Sequence, residues 1–189
     1  MLAWPLQRVA AQAVTVRTAG DALKIRAPAF AFLKGDVLAR LKDGRSVSIE
    51  LVVLALPGPG RAPIARGREA FALSYDLWEE RFAVATATAP PRVVSHLTSS
   101  SAEAWCVEQL SIPIHALVTR GRDQPFWIRL EYRILNGDGA PGPNDDAGFT
   151  LQGLIDALSR RRKVEAATQS VEAGPFRLQP GPPGASSPR

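Results

Sequence analysis

Apolar and polar residues alternate along several segments of this chain, most clearly in residues 68–84. Phe71, Leu73 and Tyr75 occupy every second position, and residues 82–84 resume the alternation after a short polar connection. Because successive side chains of a β-strand point to opposite faces, this pattern predicts two antiparallel strands that pack one face on a core.

A tight turn is predicted where these two strands meet. Asp76 has a short side chain that can accept hydrogen bonds from nearby backbone N–H groups, and Glu79 follows three residues later. We therefore expect Asp76 to cap a single helical turn, with Glu79 and Glu80 as solvated charges.

The alternation recurs elsewhere, so most of the chain is predicted to be β-structure. Residues 14–26 alternate around a central turn, and residues 93–94 begin a short strand. Residues 51–56 are apolar on both faces, which places their strand in the middle of a sheet. The most regular alternation covers residues 126–134.

A hairpin is predicted around the Lys-Asp-Gly sequence at residues 42–44. Apolar residues alternate from Val37 to Leu41, and a second alternating row begins at Val47. A three-residue loop with a left-handed glycine pairs Ala39 with Val47 and puts both apolar rows on one face. We therefore expect two strands joined by a bulged turn.

Two segments have helical rather than alternating spacing. Apolar residues in the segment 102–110 form an arc, and Ser100 with Glu103 has the spacing of a capping box. Apolar residues in the segment 151–158 predict a second helix near the C-terminal end. His115 lies between two apolar residues and is expected in an extended segment.

These elements predict a mainly β (α+β) fold: an antiparallel β-sandwich-like domain with one inserted helix and one C-terminal helix. The domain is expected to cover residues 14–165. Residues 1–13 form an apolar N-terminal remnant. Residues 166–189 are expected to be a disordered tail, because a Pro/Gly-rich composition cannot bury a core.

Composition narrows the picture only slightly. The 189 residues are 46% hydrophobic, which is enough for one domain with a sizeable core. The formal net charge is +5, but 23 basic residues are mixed with 18 acidic ones, so an acidic partner is favoured only weakly. The single cysteine, Cys106, excludes an intramolecular disulfide and leaves the compartment open.

The first residues contain a clue to location. Residues 2–6 have the character of the end of a signal-peptide apolar region, and Ala11-Gln12-Ala13 fits the small-x-small cleavage pattern. We expect residues 1–13 to be a signal peptide clipped at its start, and the protein to be exported, periplasmic or envelope-associated. A cytoplasmic protein with an apolar end is the alternative.

Three short motifs lie on the predicted strands: Leu73-Ser74-Tyr75-x-Leu77, Phe82-x-Val84 and Pro125-Phe126-x-x-Arg129-Leu130. Together they resemble an uncharacterised bacterial family, domain of unknown function 4390. The resemblance covers residues 37–135 and implies an exported, β-rich protein with no known activity. It supports the clipped signal peptide and transfers no catalytic residue.

Motifs of known catalytic or cofactor sites are absent or incomplete in the sequence. The glycines of residues 137–142 match a dinucleotide-binding pattern, but flanking prolines exclude the helix that must follow. Cys106 is expected to be a core residue, and with His96 and His115 it makes too small a set for structural zinc. We therefore expect no catalytic residue, no cofactor and no metal, and a protein that is not an enzyme.

Basic residues form the candidate binding surface. One group ends the predicted C-terminal helix, where cations also offset the helix dipole. A second group shares the polar face of the strand predicted at residues 126–134 with a tryptophan. The candidate surface therefore consists of Trp127, Arg129, Arg133, Arg160, Arg161, Arg162 and Lys163.

The sequence favours a non-catalytic exported envelope protein that acts as a macromolecular binding module. The expected partner is another envelope protein, and peripheral contact with an anionic membrane stays open. Nucleic acid is disfavoured, because no aromatic residues are interleaved with the basic cluster. The alternatives are an enzyme with a site assembled from dispersed residues and a binder of anionic surfaces through the basic C-terminal helix.

Overall fold

A computed structural model describes residues 14–135 and 169–178 of the chain. The fold is mainly β, with the α+β character that the sequence predicted. The elements of the described residues are, in chain order, β1 (Thr15–Ala19), β2 (Ala22–Arg26), α1 (Gly35–Lys42), β3 (Val47–Leu56), β4 (Ala65–Asp76), β5 (Arg81–Thr86), β6 (Val93–Leu97), α2 (Ser99–Gln109), β7 (Ser111–Pro113), α3 (His115–Arg120), β8 (Phe126–Ile134) and β9 (Gln169–Phe176).

Six strands form one antiparallel sheet in the order β6-β5-β4-β3-β8-β9. β3 lies in the interior of this sheet, as its two apolar faces predicted, with Val47 opposite Leu73 and Ile49 opposite Ile134. In β8, every second residue from Phe126 to Ile134 is buried, which confirms the predicted alternation. The face that carries these buried residues is the core face.

The remaining strands form a smaller antiparallel sheet in the order β1-β2-β7, which packs against the core face of the larger one. Leu23 and Ile112 of the small sheet belong to the same buried cluster as Val53 of the large sheet. β7 approaches β4 so closely that a Cβ atom on Gly67 would overlap the carbonyl oxygen of Ser111. A residue without a side chain is therefore required where the two sheets touch.

The predicted hairpin of residues 68–84 is confirmed as β4 and β5. Leu73 lies opposite Val84, and Tyr75 lies opposite Phe82. The rings of Tyr75 and Phe82 are 4.8 Å apart between centroids, so this cross-strand pair stabilises the end of the hairpin.

The predicted strand at residues 37–41 is wrong, because this segment forms helix α1. Val37 and Leu41 are buried and lie on one helix face at the i,i+4 spacing, whereas Ala39 is exposed. The backbone N–H of Arg45 donates to the carbonyl of Arg40, and that of Gly44 to Leu41, the pattern of a Schellman motif.

The Asp-Gly pair therefore ends a helix instead of turning a hairpin. Gly44 adopts φ +77°, the left-handed conformation expected of it, but at a helix C-terminus. The chain continues directly into β3, which pairs with β4 and β8 and not with residues 37–41.

Helix α2 is the predicted inserted helix, but its cap differs from the prediction. Thr98, not Ser100, is the N-cap, and its Oγ1 accepts a hydrogen bond from the backbone N–H of Ser101 at 3.2 Å. The carboxylate of Glu103 instead accepts hydrogen bonds from the backbone N–H groups of Phe32 and Leu33, both at 2.7 Å. The predicted capping box is replaced by a tertiary contact with the segment that precedes α1.

His115 does not lie in an extended segment, because it is the first residue of the short helix α3. Together with α1, this gives two more helices in the described residues than the one inserted helix predicted there. The predicted C-terminal helix at residues 151–163 and the candidate glycine-rich motif lie outside the described residues. So do residues 1–13.

The predicted disordered tail needs a correction, because residues 169–176 form strand β9 at the edge of the large sheet. β9 pairs with β8, and the rings of Phe176 and Phe126 are 5.9 Å apart between centroids. Leu178 is also buried. The apolar residues Val171, Phe176 and Leu178 pack on the core despite the glycine and proline between them.

Within the described part of the chain, no helix is long and apolar enough to cross a bilayer.

Candidate functional site

Three large apolar side chains are exposed around the hairpin of β4 and β5 and the neighbouring strand β6. Trp78 is 96% exposed, Val93 63% and Leu77 53%. All three line a groove of about 530 Å³ between residues 74–85 and residues 91–96, termed the hairpin groove. Isolated exposed apolar residues are common, but a cluster around a concave surface is typical of a binding site.

The turn between β4 and β5 is built by Asp76, as predicted. Its Oδ1 accepts hydrogen bonds from the backbone N–H groups of Trp78 at 2.8 Å and of Glu79 at 3.0 Å. These hydrogen bonds, led by that from Glu79, lower the pKa of the Asp76 carboxyl. The cap fixes the backbone of the turn, so the side chains of Leu77 and Trp78 are held out in solvent.

The floor of the groove belongs to the outer face of the sheet, opposite the core face. Ser74 lies opposite Ala83 across β4 and β5, and Ala85 lies opposite Val93 across β5 and β6. Small side chains on the floor with larger ones at the rim produce a shallow trough. A ligand can therefore approach the sheet closely while it contacts Trp78 at one end.

A β-bulge in β6 shapes the other wall of the groove. Val94 pairs with Val84 and Leu97 pairs with Phe82, so β6 uses three steps where β5 uses two. His96 lies in this bulge with φ +60°, a backbone conformation that few residues other than glycine adopt. Bulges redirect side chains out of the regular alternation, and here the bulge turns His96 toward the turn.

His96 links two polar residues of the groove rim. Its Nε2 lies 3.0 Å from Oε2 of Glu79, and its Nδ1 lies 2.9 Å from Oγ of Ser95. A serine, a histidine and a carboxylate in contact are also the parts of a hydrolytic triad. The side chains of His96 and Glu79 are 69% and 53% exposed, however, and hydrolytic centres rely on excluding water. We therefore interpret Glu79, Ser95 and His96 as polar residues at the rim of the groove.

The structure brings together three residues of the candidate surface that the sequence predicted. Trp127, Arg129 and Arg133 lie on the outer face of β8, because they occupy alternate positions of the strand. Arg129 donates from Nε and Nη2 to one carboxylate oxygen of Glu172, at 3.0 and 2.7 Å. Arg133 donates to Glu131 at 3.1 Å. Both guanidinium groups already have carboxylate partners within the protein.

Trp127 is also engaged by the protein itself. Strand β9 passes over its ring at Gly174, where an added Cβ atom would come within 2.6 Å of the indole Cδ1. Trp127 is therefore half-covered rather than presented to solvent, in contrast to Trp78. Arg160, Arg161, Arg162 and Lys163 lie outside the described residues.

The thiol of Cys106 lies in the core. Cys106 is fully buried, and burial, with a smaller contribution from the negative charge of Glu103, raises the pKa of its thiol. A thiol in this setting stays protonated and inert. Within residues 14–135 and 169–178, no group of three or more His, Cys, Asp or Glu side chains could hold a metal ion.

Comparisons of the chain with protein-family models, with curated proteins and with solved structures found no match.

The hairpin groove was not predicted from the sequence, although one feature of the sequence indicated it. Leu77 and Trp78 are consecutive apolar residues in a turn, where solvated residues are the norm. The sequence predicted a strand at Val93. It did not predict the exposure of Val93, because that depends on the position of β6 at the edge of the sheet. His96 could not be found from sequence, because its orientation follows from the bulge.

Proposed function

We propose that this protein is a non-catalytic binding module whose hairpin groove holds a segment of a partner protein. The observation that supports the proposal is that one groove is lined by Leu77, Trp78 and Val93, which are the three exposed large apolar side chains of the described residues. Contact between the apolar indole ring and water is unfavourable. Tryptophan is also enriched at the centres of protein interfaces. A partner that covers the ring removes its contact with water.

The partner is recognised by its side chains more than by the addition of a strand to the sheet. The bulge at His96 interrupts the regular ladder of edge strand β6. At the opposite edge, Pro175 of β9 has no N–H group to offer. Bulges and prolines are features that protect sheet edges from pairing with other chains. This favours a ligand that lies in the groove and buries apolar side chains against Trp78 and Val93.

The proposal includes a location in the cell envelope and a relationship to the domain of unknown function 4390 family. Both rest on residues of the sequence: the apolar start with Ala11-Gln12-Ala13, and the short motifs on β4, β5 and β8. Fractionation of cells that produce the protein from its natural gene, followed by N-terminal sequencing, tests the location. Recovery of an unprocessed N-terminus from the cytosol would contradict it.

The binding role is tested with a display library of short random peptides presented to the full chain. We expect enrichment of peptides that contain apolar residues. Replacing Trp78 with Ala should weaken the enriched peptides by about 2 kcal/mol, the usual cost of removing an aromatic anchor from an interface. Because Trp78 is 96% exposed, the stability of the protein should change by less than about 0.5 kcal/mol.

The matched control is the outer face of β8, where the sequence predicted binding. Replacing Arg129 or Arg133 with Ala removes a side chain about as large as that of Trp78 but outside the groove. Peptide affinity should stay within two-fold of the unmodified protein, about 0.4 kcal/mol. Loss of affinity in these variants, with Trp78→Ala unaffected, would transfer the function to the basic face.

A second candidate function is hydrolysis, which the contacts among Glu79, His96 and Ser95 favour. A fluorophosphonate probe reacts covalently with an activated serine and so distinguishes the two functions. We expect no labelling of Ser95, because the histidine is open to solvent. Labelling of Ser95 that disappears in His96→Ala would replace the binding module with an enzyme.

A further inference from the structure

We infer that the partner segment presents a lysine or arginine side chain to the hairpin groove, held by the indole of Trp78 and by the carboxylates of Glu79, which lines the groove, and of Glu80, which follows it in the turn. This inference rests on the proposed function and names the chemistry of its partner. It is drawn from the charge of the turn, from the contacts that its charged residues already make, and from the exposed indole.

The charge of the turn is opposite to that of the whole chain. Residues 76–81 contain three carboxylates, those of Asp76, Glu79 and Glu80, and one guanidinium, that of Arg81. The turn thus has an excess of two negative charges, whereas the formal net charge of the chain is +5. A positively charged partner is therefore drawn to this turn.

The internal contacts leave this negative charge available. Arg81 donates to the backbone carbonyl of Glu80 at 3.1 Å instead of to a carboxylate. No ion pair among the described residues includes Glu80. Glu79 faces His96, whose ring neutralises the carboxylate only when it is protonated. Glu79 lines the groove beside Trp78, as does Arg81, whereas Glu80 lies next to Glu79 in the turn and outside the lining. The carboxylates of Glu79 and Glu80 can thus accept hydrogen bonds from a ligand that reaches the turn.

The apolar part of the groove suits the same ligand. Lysine and arginine have apolar stems that pack on hydrophobic surface while their charged heads reach polar groups. The indole face is the strongest aromatic acceptor for a cation, and that of Trp78 is almost fully exposed. A stem lying along Leu77 would bring its head to Trp78 and the carboxylates of the turn.

The experiment uses peptides enriched from the random display library on the full-length protein. We expect lysine or arginine in excess among them, beside apolar residues. Binding of these peptides to Glu79→Gln/Glu80→Gln should be about ten-fold weaker, and the remaining affinity should depend less on salt, because surface charge interactions are screened by ions. Trp78→Leu, which keeps an apolar group but removes the ring, should also weaken the basic peptides several-fold.

The control variant is Glu108→Gln/Asp123→Asn, which makes the same change in net charge at two exposed residues outside the groove. It should bind the peptides as the unmodified protein does. Enrichment of apolar peptides without basic residues would overturn the inference and leave the binding module standing. Equal weakening by the control would also overturn it, because the effect would come from net charge alone. Failure of any peptide to prefer the protein over Trp78→Ala would refute the proposed function itself.

Discussion

Glu103 and Glu108 lie on the same helix, α2, but their carboxylates make contacts of different kinds. Glu103 accepts two backbone hydrogen bonds, from Phe32 and Leu33, both at 2.7 Å and partly buried. Glu108 forms an ion pair with Arg26 at 3.0 Å, with both side chains about half exposed or more. Replacing each glutamate with Ala makes the same chemical change on one helix, so the pair isolates the value of the contact.

The expected losses differ several-fold. Hydrogen bonds to a charged group contribute roughly 1.5–3 kcal/mol each, and two N–H groups would lose their acceptor in Glu103→Ala. Allowing for water that reaches these N–H groups, and for the higher helix propensity of Ala, we expect a loss of about 2–3 kcal/mol. Exposed ion pairs are worth between zero and about 1 kcal/mol. Glu108→Ala should therefore cost no more than about 0.5 kcal/mol.

Equilibrium unfolding in urea, followed by tryptophan fluorescence, measures both values. Glu103→Gln is the intermediate case, because it keeps an acceptor oxygen but loses the charge, and should cost about 1 kcal/mol. Equal losses for Glu103→Ala and Glu108→Ala would refute the reasoning. In that case the carboxylate of Glu103 would not hold residues 32–33 against α2.

Three more outcomes are expected. Gly67→Ala should cost more than about 2 kcal/mol in urea unfolding, because the new Cβ overlaps the Ser111 carbonyl oxygen and lies 2.9 Å from its carbon. Gly58→Ala, where the nearest atom is an ordinary contact at 3.5 Å, should change stability by less than about 0.5 kcal/mol. Asp76 has a lowered pKa, so its stabilising effect is present above the unfolded-state value of about 3.9 and is lost as pH falls through the folded value; Asp76→Asn should lack this part of the pH dependence. Cys106 should react with thiol reagents only after addition of denaturant, and rapid labelling of the native protein would contradict its burial.

The strands were more predictable than the helices because their signal is local. In β8, alternate residues face the core, so burial on one side of the sheet is enough to produce the alternation in the sequence. Residues 37–41 are short and satisfy two periods at once: Val37, Ala39 and Leu41 alternate, while Val37 and Leu41 are also one helical turn apart. Packing of Val37 and Leu41 on the core selects the helix, and Gly44 ends it with local hydrogen bonds.

The C-terminal edge strand could not be predicted for a different reason. Residues 169–178 contain Gly174 and Pro175 and lead into a Pro/Gly-rich C-terminus, which is a composition typical of disordered tails. Their order depends on β8, which lies at a distance in sequence and supplies the ladder partners and the ring of Phe126. The composition of a segment indicates how much apolar surface it contains. It does not indicate whether a distant strand will supply hydrogen-bond partners and packing contacts.

The candidate site was missed because binding surfaces violate the patterns that predict folds. The charge of basic residues such as Arg129 predicted a binding surface, but Arg129 forms an ion pair with Glu172 within the protein. Leu77 and Trp78 match no known motif, although two consecutive apolar residues are unusual in a turn. The exposure of Trp78 becomes informative only because Leu77 and Val93 line the same groove, where the pairing of β5 with β6 places Val93.

The residue that stabilises the β4–β5 hairpin also presents its binding surface. Asp76 fixes the turn by accepting the N–H groups of Trp78 and Glu79, which are two of the three residues proposed to contact the ligand. The geometry of the ligand contacts is therefore coupled to the stability of the turn. A partner that requires this geometry stabilises the turn in return, by thermodynamic linkage. Substitution of Asp76 should weaken binding even though its own carboxylate is occupied within the turn, whereas substitution of Trp78 should weaken binding without changing the turn.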